Sequence, residues 1–318
     1  MKIKSAVWQG ARTVRKKLCQ LVLFVQENAW QTGVQGKKDF CGMDERIYLA
    51  RAALHMWEEP CISGTKGSGA VFFSGCGLRC CFCQNHDIAI GSRGRAVSVE
   101  RLGEIFLELK EKGAANINLV TGAHYVPQII EALDMARRKG LDIPVVYNSS
   151  GYEKTETLKL LEGYVDIYLP DLKYLDPELA QKFSYAPDYV QAAKAAIREM
   201  VRQTGKCEFG EDGYIRKGTI VRHLILPGHT GNSIKALRYL HETYGEDIYI
   251  SIMNQYTPVR KFVEFKELNR KVTKREYEKV LDAAVDMGIQ NGFIQEGETA
   301  SESFIPDFDY EGVEKNTP

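Results

Sequence analysis

CGLRCCFCQN, residues 76–85, places four of the chain's eight cysteines within eight positions, on a turn-forming stretch. Cys76, Cys80 and Cys83 are spaced Cys-x3-Cys-x2-Cys. Thiolates this close in sequence can converge on one metal centre if the loop wraps around it, and Gly75 and Gly77 help it turn. Three thiolates leave a cubane [4Fe–4S] cluster with one iron lacking a protein ligand. Such an iron can bind an exchangeable ligand and do chemistry there. The alternative is structural zinc, which takes four ligands and would recruit Cys81 or His86 as the fourth. Adjacent cysteines such as Cys80 and Cys81 rarely point at one ion, which weighs against it.

Outward from this loop, β-rich runs alternate with helical patterns. AVFF (70–73) leads into the cysteines. Leu102, Ile105, Phe106 and Leu109 recur at helical spacing, with Ser98 placed to cap the start and Gly113 just past the end. INLV (117–120), a helix through Ile130 and Leu133, IPVVY (143–147), a short helix over 158–161 and VDIYL (165–169) follow. A helix over VQAAKAAIREMV (190–201) leads to a hairpin in KCEFGEDGYIRKG (206–218). IVRHLIL (220–226), a helix from Ser233, IYISIM (248–253), a helix opened by a Thr273–Glu276 capping box and GFIQ (292–295) complete the series. Six successive βα units, with strands apolar on both faces, argue for a parallel sheet covered by helices. Right-handed crossovers leave a doubly wound sheet or an open or closed barrel. In each, chemistry belongs at the C-terminal strand ends, where the cysteine loop sits.

The 42 Lys+Arg balance 42 Asp+Glu, and 44% of residues are hydrophobic, as expected of a soluble globular protein with a large core. Zero net charge and the lack of a basic stripe give no sign of nucleic-acid binding. The apolar run LVLFV (21–25) falls well short of the roughly 20 apolar residues of a membrane span. Clustered cysteines suit metal ligation in a reducing compartment, so the expected location is cytoplasmic, with no membrane association.

CGLRCCFC, with Phe82 immediately before the third cysteine, resembles the signature of the radical S-adenosylmethionine superfamily. SGCGLRCCFCQN is similar to the branch related to pyruvate formate-lyase-activating enzyme, and ARAALHMWEEPCISGTKGSGAVFFSGC (50–76) resembles an uncharacterised group within it. The likeness runs from about Gly42 to Phe308. It implies an α/β fold, a partial TIM-like (β/α)6 barrel over residues 67–300, with an N-terminal extension (1–66) and a C-terminal tail (301–318). It also implies a [4Fe–4S] cluster on Cys76, Cys80 and Cys83, whose open iron binds S-adenosylmethionine. In that superfamily one electron from the cluster cleaves the sulfonium to methionine and a 5′-deoxyadenosyl radical, which takes hydrogen from a substrate. A low-potential donor such as a flavodoxin or ferredoxin would supply the electron.

Carried over residue by residue, Phe82 matches a backbone contact to adenine. Thr121-Gly122-Ala123-His124 stands where relatives carry Gly-Gly-Glu, without the acid. Asn148-Ser149-Ser150-Gly151 resembles an Asp-Thr-Asn-Gly segment near the ribose, with Asn148 replacing a charge. Asp171-Leu172-Lys173 is a closer match; both charged residues alternate to one face of an extended segment, although a surface ion pair has the same appearance. The expected cofactor-binding set is Phe82, Thr121, Gly122, Asn148, Ser150, Asp171 and Lys173. Arg222, His223, Asn254 and Gln255 are further pocket candidates, each equally readable as a structural polar residue. His55, Trp57, Glu58 and Glu59 either close one end of the pocket or pack. Cys81 is expected beside the cluster, and Cys207 has no evident role.

Two substrates remain open: a glycyl radical enzyme, activated by hydrogen abstraction from a peptide glycine, or another peptide, protein or small metabolite. A non-catalytic zinc or iron–sulfur binding module is the reading from another class. Before residue 37 the resemblance fails. Relatives carry Cys-x2-Cys-Pro-Arg-x-Cys there, whereas this chain reads LVLFVQENAWQTGVQG (21–36). With permissible codons, a shifted frame spells Cys-Pro-Val-Cys-Pro-Arg-Glu-Cys. The expectation is a pair of compensating frameshifts around Leu21 and Lys37, leaving Cys41 from a lost second metal site and residues 1–36 poorly packed. Codons incompatible with the shifted frame would overturn it.

Overall fold

A strand that is apolar on both faces needs helices over one face and side chains packed against the other. The computed structural model, which describes residues 43–295 and 306–314, shows that arrangement. Ten strands form one sheet: β1 (Ile47–His55), β2 (Ser68–Phe73), β3 (Arg95–Val97), β4 (Ile117–Val120), β5 (Val145–Ser149), β6 (Ile167–Pro170), β7 (Glu208–Phe209), β8 (Ile215–Leu224), β9 (Tyr249–Met253) and β10 (Gly292–Ile294). Their order is β10-β9-β8-β6-β5-β4-β2-β1-β3, with β7 antiparallel to β8 as the other arm of the expected hairpin. β2, β4, β5, β6, β8, β9 and β10 are parallel neighbours, and β1 and β3 run antiparallel at one edge. The sheet is mixed, mostly parallel and not closed, as in a partial TIM-like barrel.

Alternation along the strands sorts the side chains. Val71, Phe73, Ile117, Leu119, Val145 and Tyr147 pack against the helices Val99–Glu111 and Val126–Arg138. Phe72, Val120, Val146, Asn148 and Arg222 alternate with those or with other helix-facing residues and point to the interior. Helix starts follow local chemistry: Ser98 Oγ accepts from the Arg101 N–H, and Thr273 and Glu276 form the capping box.

β1 shows tertiary context overriding propensity. IYLARAALH is alanine-rich and poor in β-branched residues. It nevertheless pairs with β2 from Leu49↔Phe73 to His55↔Ser68, with Ala50 in the interior apolar cluster and Ala52 in the helix-side core. The chain then turns beneath the barrel. In the short helix Pro60–Ser63, Cys61 and Ile62 pack with Val146, Ile167, Leu169, Ile215 and Ile220 at the N-terminal strand ends. This plug closes the lower end and leaves the C-terminal strand ends open above it. Residues 309–311 return to β1, where the Ala52 N–H donates to Glu311 O at 2.8 Å and Arg51 pairs with Asp309. The segment 21–36 and Cys41 lie outside the described residues.

Candidate cluster and cofactor site

A cavity of about 410 Å³ opens at the C-terminal strand ends. Its wall includes Cys76, Cys80 and Cys83 with Phe82 from the loop after β2, Thr121 after β4, Asn148 and Ser150 at the end of β5, and Asp171 and Lys173 after β6. Residues separated by nearly 100 positions therefore meet at one place because each follows a parallel strand. Gly122 is set back from the wall: a Cβ there would meet Ile129 Cδ1 at 2.7 Å and the Phe73 ring at 3.5 Å. Thr121 has φ +63°, an uncommon conformation for a β-branched residue, with its N–H donating to Asn148 O at 2.9 Å. Gly151 has φ +74°, and a Cβ there would lie 2.1 Å from Asp171 O, so the β5 turn admits only glycine against its neighbour.

The cysteine loop is pinned by its own backbone. Gly75 N–H donates to Ile88 O (2.7 Å), Cys81 N–H to Phe183 O (2.8 Å) and Cys83 N–H to Cys80 O (3.2 Å). The Leu78 N–H points at Cys76 Sγ (3.4 Å), and Ser184 Oγ lies 3.0 Å from Cys80 Sγ. Phe82 is buried edge-on to Phe183 and Tyr256. Burial pushes the free Cys76 and Cys83 thiols up to about 12. Cys81 also borders the cavity, but its side chain is buried in the apolar cluster with Leu78, Phe82 and Tyr256. His86 is in the wall, 3.7 Å from Asp87. Cys207 lies at the hairpin, its Sγ 3.5 Å from Thr219 O.

Asp171 and Lys173 form an ion pair at 2.5 Å whose side chains are 20% and 17% exposed. This is no surface pair. Burial opposes the Lys173 charge, but Asp171 and Cys80 outweigh it and hold the ammonium protonated. Deeper in the interior, Glu58 Oε1 accepts from Asn118 Nδ2 (3.0 Å) and Asn148 Nδ2 (3.3 Å), and Arg222 Nη1 lies 3.2 Å from Glu58 Oε2. Glu59 Oε1 stands 3.3 Å from Arg222 Nε. The amide of Asn148, expected near the ribose, is thus already engaged with Glu58.

Of the further candidates, Arg222 and Gln255 reach the cavity wall. His223, one residue along β8, faces the other way; its Nδ1 is 2.6 Å from Leu172 O, and burial pushes its pKa down to about 4. The Asn254 N–H donates to Gln295 Oε1 instead. His55, Trp57 and Glu58 line the cavity. Tyr185, Met253, Arg260 and Pro306 also line it and had no sequence signal. Tyr185 could have been suspected only as the stop of the helix Pro177–Ser184, which it caps at φ +54°.

Residues 70–240 match the family model of the Radical SAM superfamily. The chain belongs to this superfamily. An uncharacterized protein from Methanocaldococcus jannaschii is 28% identical over 255 residues, covering 78% of this chain and 70% of that one. Pyruvate formate-lyase-activating enzyme of Clostridium pasteurianum is 27% identical over 113 residues, 34% of this chain and 46% of the enzyme. Among solved structures, Streptococcus suis SuiB bound to the precursor peptide SuiA aligns over 70% of this chain and 47% of its own, at 14% identity and a TM-score of 0.47. The chain thus spans less than half the length of the activating enzyme and of SuiB. As a radical SAM protein it uses a [4Fe–4S] cluster and S-adenosylmethionine. Among the described residues, no helix is long and apolar enough to cross a membrane.

The residues present fit those groups. Three thiols, two hydrogen-bond donors to sulfur and the Lys173 ammonium suit an anionic thiolate cluster. Among the described residues, no three His, Cys, Asp or Glu side chains are grouped to hold one metal ion.

Behind β5, away from the cavity, Tyr147 Oη donates to both Glu153 oxygens at 3.3 Å. Burial outweighs these bonds and raises the Glu153 pKa from 4.5 to about 8. Between those values the folded chain holds a proton that the unfolded chain releases. The resulting stability is full below pH 4.5 and is lost as pH rises through 8. Glu153→Gln is therefore expected to melt higher than wild type above pH 8 and close to it below pH 4.5. Parallel melting curves across this range would exclude the shift.

Proposed function

We propose that this chain is a radical SAM enzyme whose cluster is held by Cys76, Cys80 and Cys83, and whose cofactor lies along Phe82, Thr121, Asn148, Ser150, Asp171 and Lys173. The observation that carries this reading is the meeting of the cysteine loop and the Asp171–Lys173 pair in one cavity at the strand ends. When bound, the cluster and cofactor supply reductive sulfonium cleavage and a 5′-deoxyadenosyl radical. The protein's own contribution is positional. Lys173, held by Asp171, offers a fixed positive charge to the cofactor carboxylate. The apolar cluster around Phe82 and the plug below keep water from the reacting carbon.

A peptide glycine of a glycyl radical enzyme is the substrate favoured by the partial match to the activating enzyme. Exposed Arg79, Lys182 and Arg260 near the cluster loop suit an acidic low-potential donor of the flavodoxin or ferredoxin type. The deciding experiment is anaerobic: reconstitute and reduce the protein, add S-adenosylmethionine and quantify 5′-deoxyadenosine. Product from wild type and none from Cys80→Ala supports the reading. Zinc in place of iron in anaerobically purified protein would support the non-catalytic module.

A further inference from the structure

Ser184 ends the helix Pro177–Ser184, beside the cysteine loop. Its hydroxyl is buried between two partners, Cys80 Sγ at 3.0 Å and Tyr174 Oη at 2.8 Å. Proton counting fixes the direction of both bonds once Cys80 is a thiolate. The sulfur can only accept, so Ser184 donates to it; Ser184 has a single hydrogen, so Tyr174 must donate to Ser184. Tyr174 is fully buried, and the described structure gives its hydroxyl this one hydrogen bond. The same turn is anchored to the loop by the Cys81 N–H to Phe183 O bond, which fixes Ser184 relative to the sulfur.

We propose that Ser184, polarised by Tyr174, is a positioning residue that raises the reduction potential of the cluster by donating a hydrogen bond to Cys80 Sγ. This rests on the reading of Cys80 as a cluster ligand. Reduction by one electron adds negative charge to the cluster and its thiolates, so a donor aimed at a thiolate stabilises the reduced form more than the oxidised one. The two bonds in series reinforce each other in a site that excludes water. The helix's terminal carbonyls carry partial negative charge toward the same loop and act in the opposite sense. The hydroxyl counters that field at the sulfur.

The test is a redox titration of the reconstituted protein with dithionite and mediators, followed by the electron paramagnetic resonance of the reduced cluster. Ser184→Ala is expected to load iron as wild type does and to shift the midpoint downward. At a fixed potential the reduced-to-oxidised ratio should fall about tenfold, equivalent to about 59 mV for a one-electron couple. Tyr174→Phe should shift it less in the same direction, and Ser184→Thr, which keeps the hydroxyl, should restore it. A fully loaded Ser184→Ala cluster with an unchanged or higher midpoint would overturn the inference. If that variant fails to hold a cluster, Tyr174→Phe decides, because it leaves the loop and its sulfurs untouched; an unchanged midpoint there is equally fatal. Normal clusters with unshifted midpoints remove only the hydrogen-bond inference. A Cys80→Ala variant that loads and reduces like wild type removes the ligand assignment itself.

Discussion

Cys76→Ala, Cys80→Ala and Cys83→Ala are each expected to lose iron and 5′-deoxyadenosine formation, while Cys81→Ala keeps both. The four residues are neighbours in sequence, and all four border the cavity. What separates them is how each side chain is engaged. Cys76 and Cys80 accept hydrogen bonds at sulfur and, with Cys83, keep the Cys-x3-Cys-x2-Cys spacing, whereas the Cys81 side chain falls outside that spacing and is itself buried with Leu78, Phe82 and Tyr256. The Cys81 backbone bond to Phe183 survives an alanine, so the loop should keep its shape. Loss of a ligand should exceed the roughly 10–100-fold effect of removing an outer partner of a metal site. Iron and sulfide analysis with product chromatography reads both quantities. An iron-free Cys81→Ala protein of normal fold would move the assignment to a different set of three.

The cysteine loop was legible because its spacing is local, and Cys76, Cys80 and Cys83 all border the one cavity. The strand series was legible through hydrophobic runs and caps such as Ser98 and Thr273, which depend on a few neighbouring residues. Asp171 and Lys173 were singled out by resemblance to a family motif, and alternation along an extended segment added only that both share one face. Alternation also marks where legibility ends. Arg222 and His223 are adjacent and both polar, and only packing of β8 between β6 and β9 settles which faces the cavity. β1 was hidden by its alanines, which suit a strand here because Ala50 packs with Phe72 and Ile88 while Ala52 joins the helix-side core. Ser184 and Pro306 reach the site from 104 and more residues away, with no local signal.

Arg222→Met should be the most destabilising single change among the interior charges. Its side chain is 14% exposed and faces Glu58 and Glu59, which are 6% and 5% exposed. Burial pushes the Glu59 carboxyl up, and Arg222 is the charge that pulls it back. Methionine fills much of the volume of the arginine stem but leaves two buried carboxylates without the guanidinium that both contact. Breaking such a pair typically costs about 3–5 kcal/mol, whereas replacing all charged members together is often neutral. The loss should therefore be largest at neutral and alkaline pH and shrink in acid, where protonation removes the uncompensated charge. Adding Glu58→Gln and Glu59→Gln to Arg222→Met should recover much of the stability, although Asn118 and Asn148 would then face an amide in place of the Glu58 carboxylate. Urea unfolding of the single and triple variants across pH separates these terms. A single-variant loss below about 1 kcal/mol, independent of pH, would mean that water reaches the carboxylates from below and that the plug around Cys61 and Ile62 does not seal the barrel.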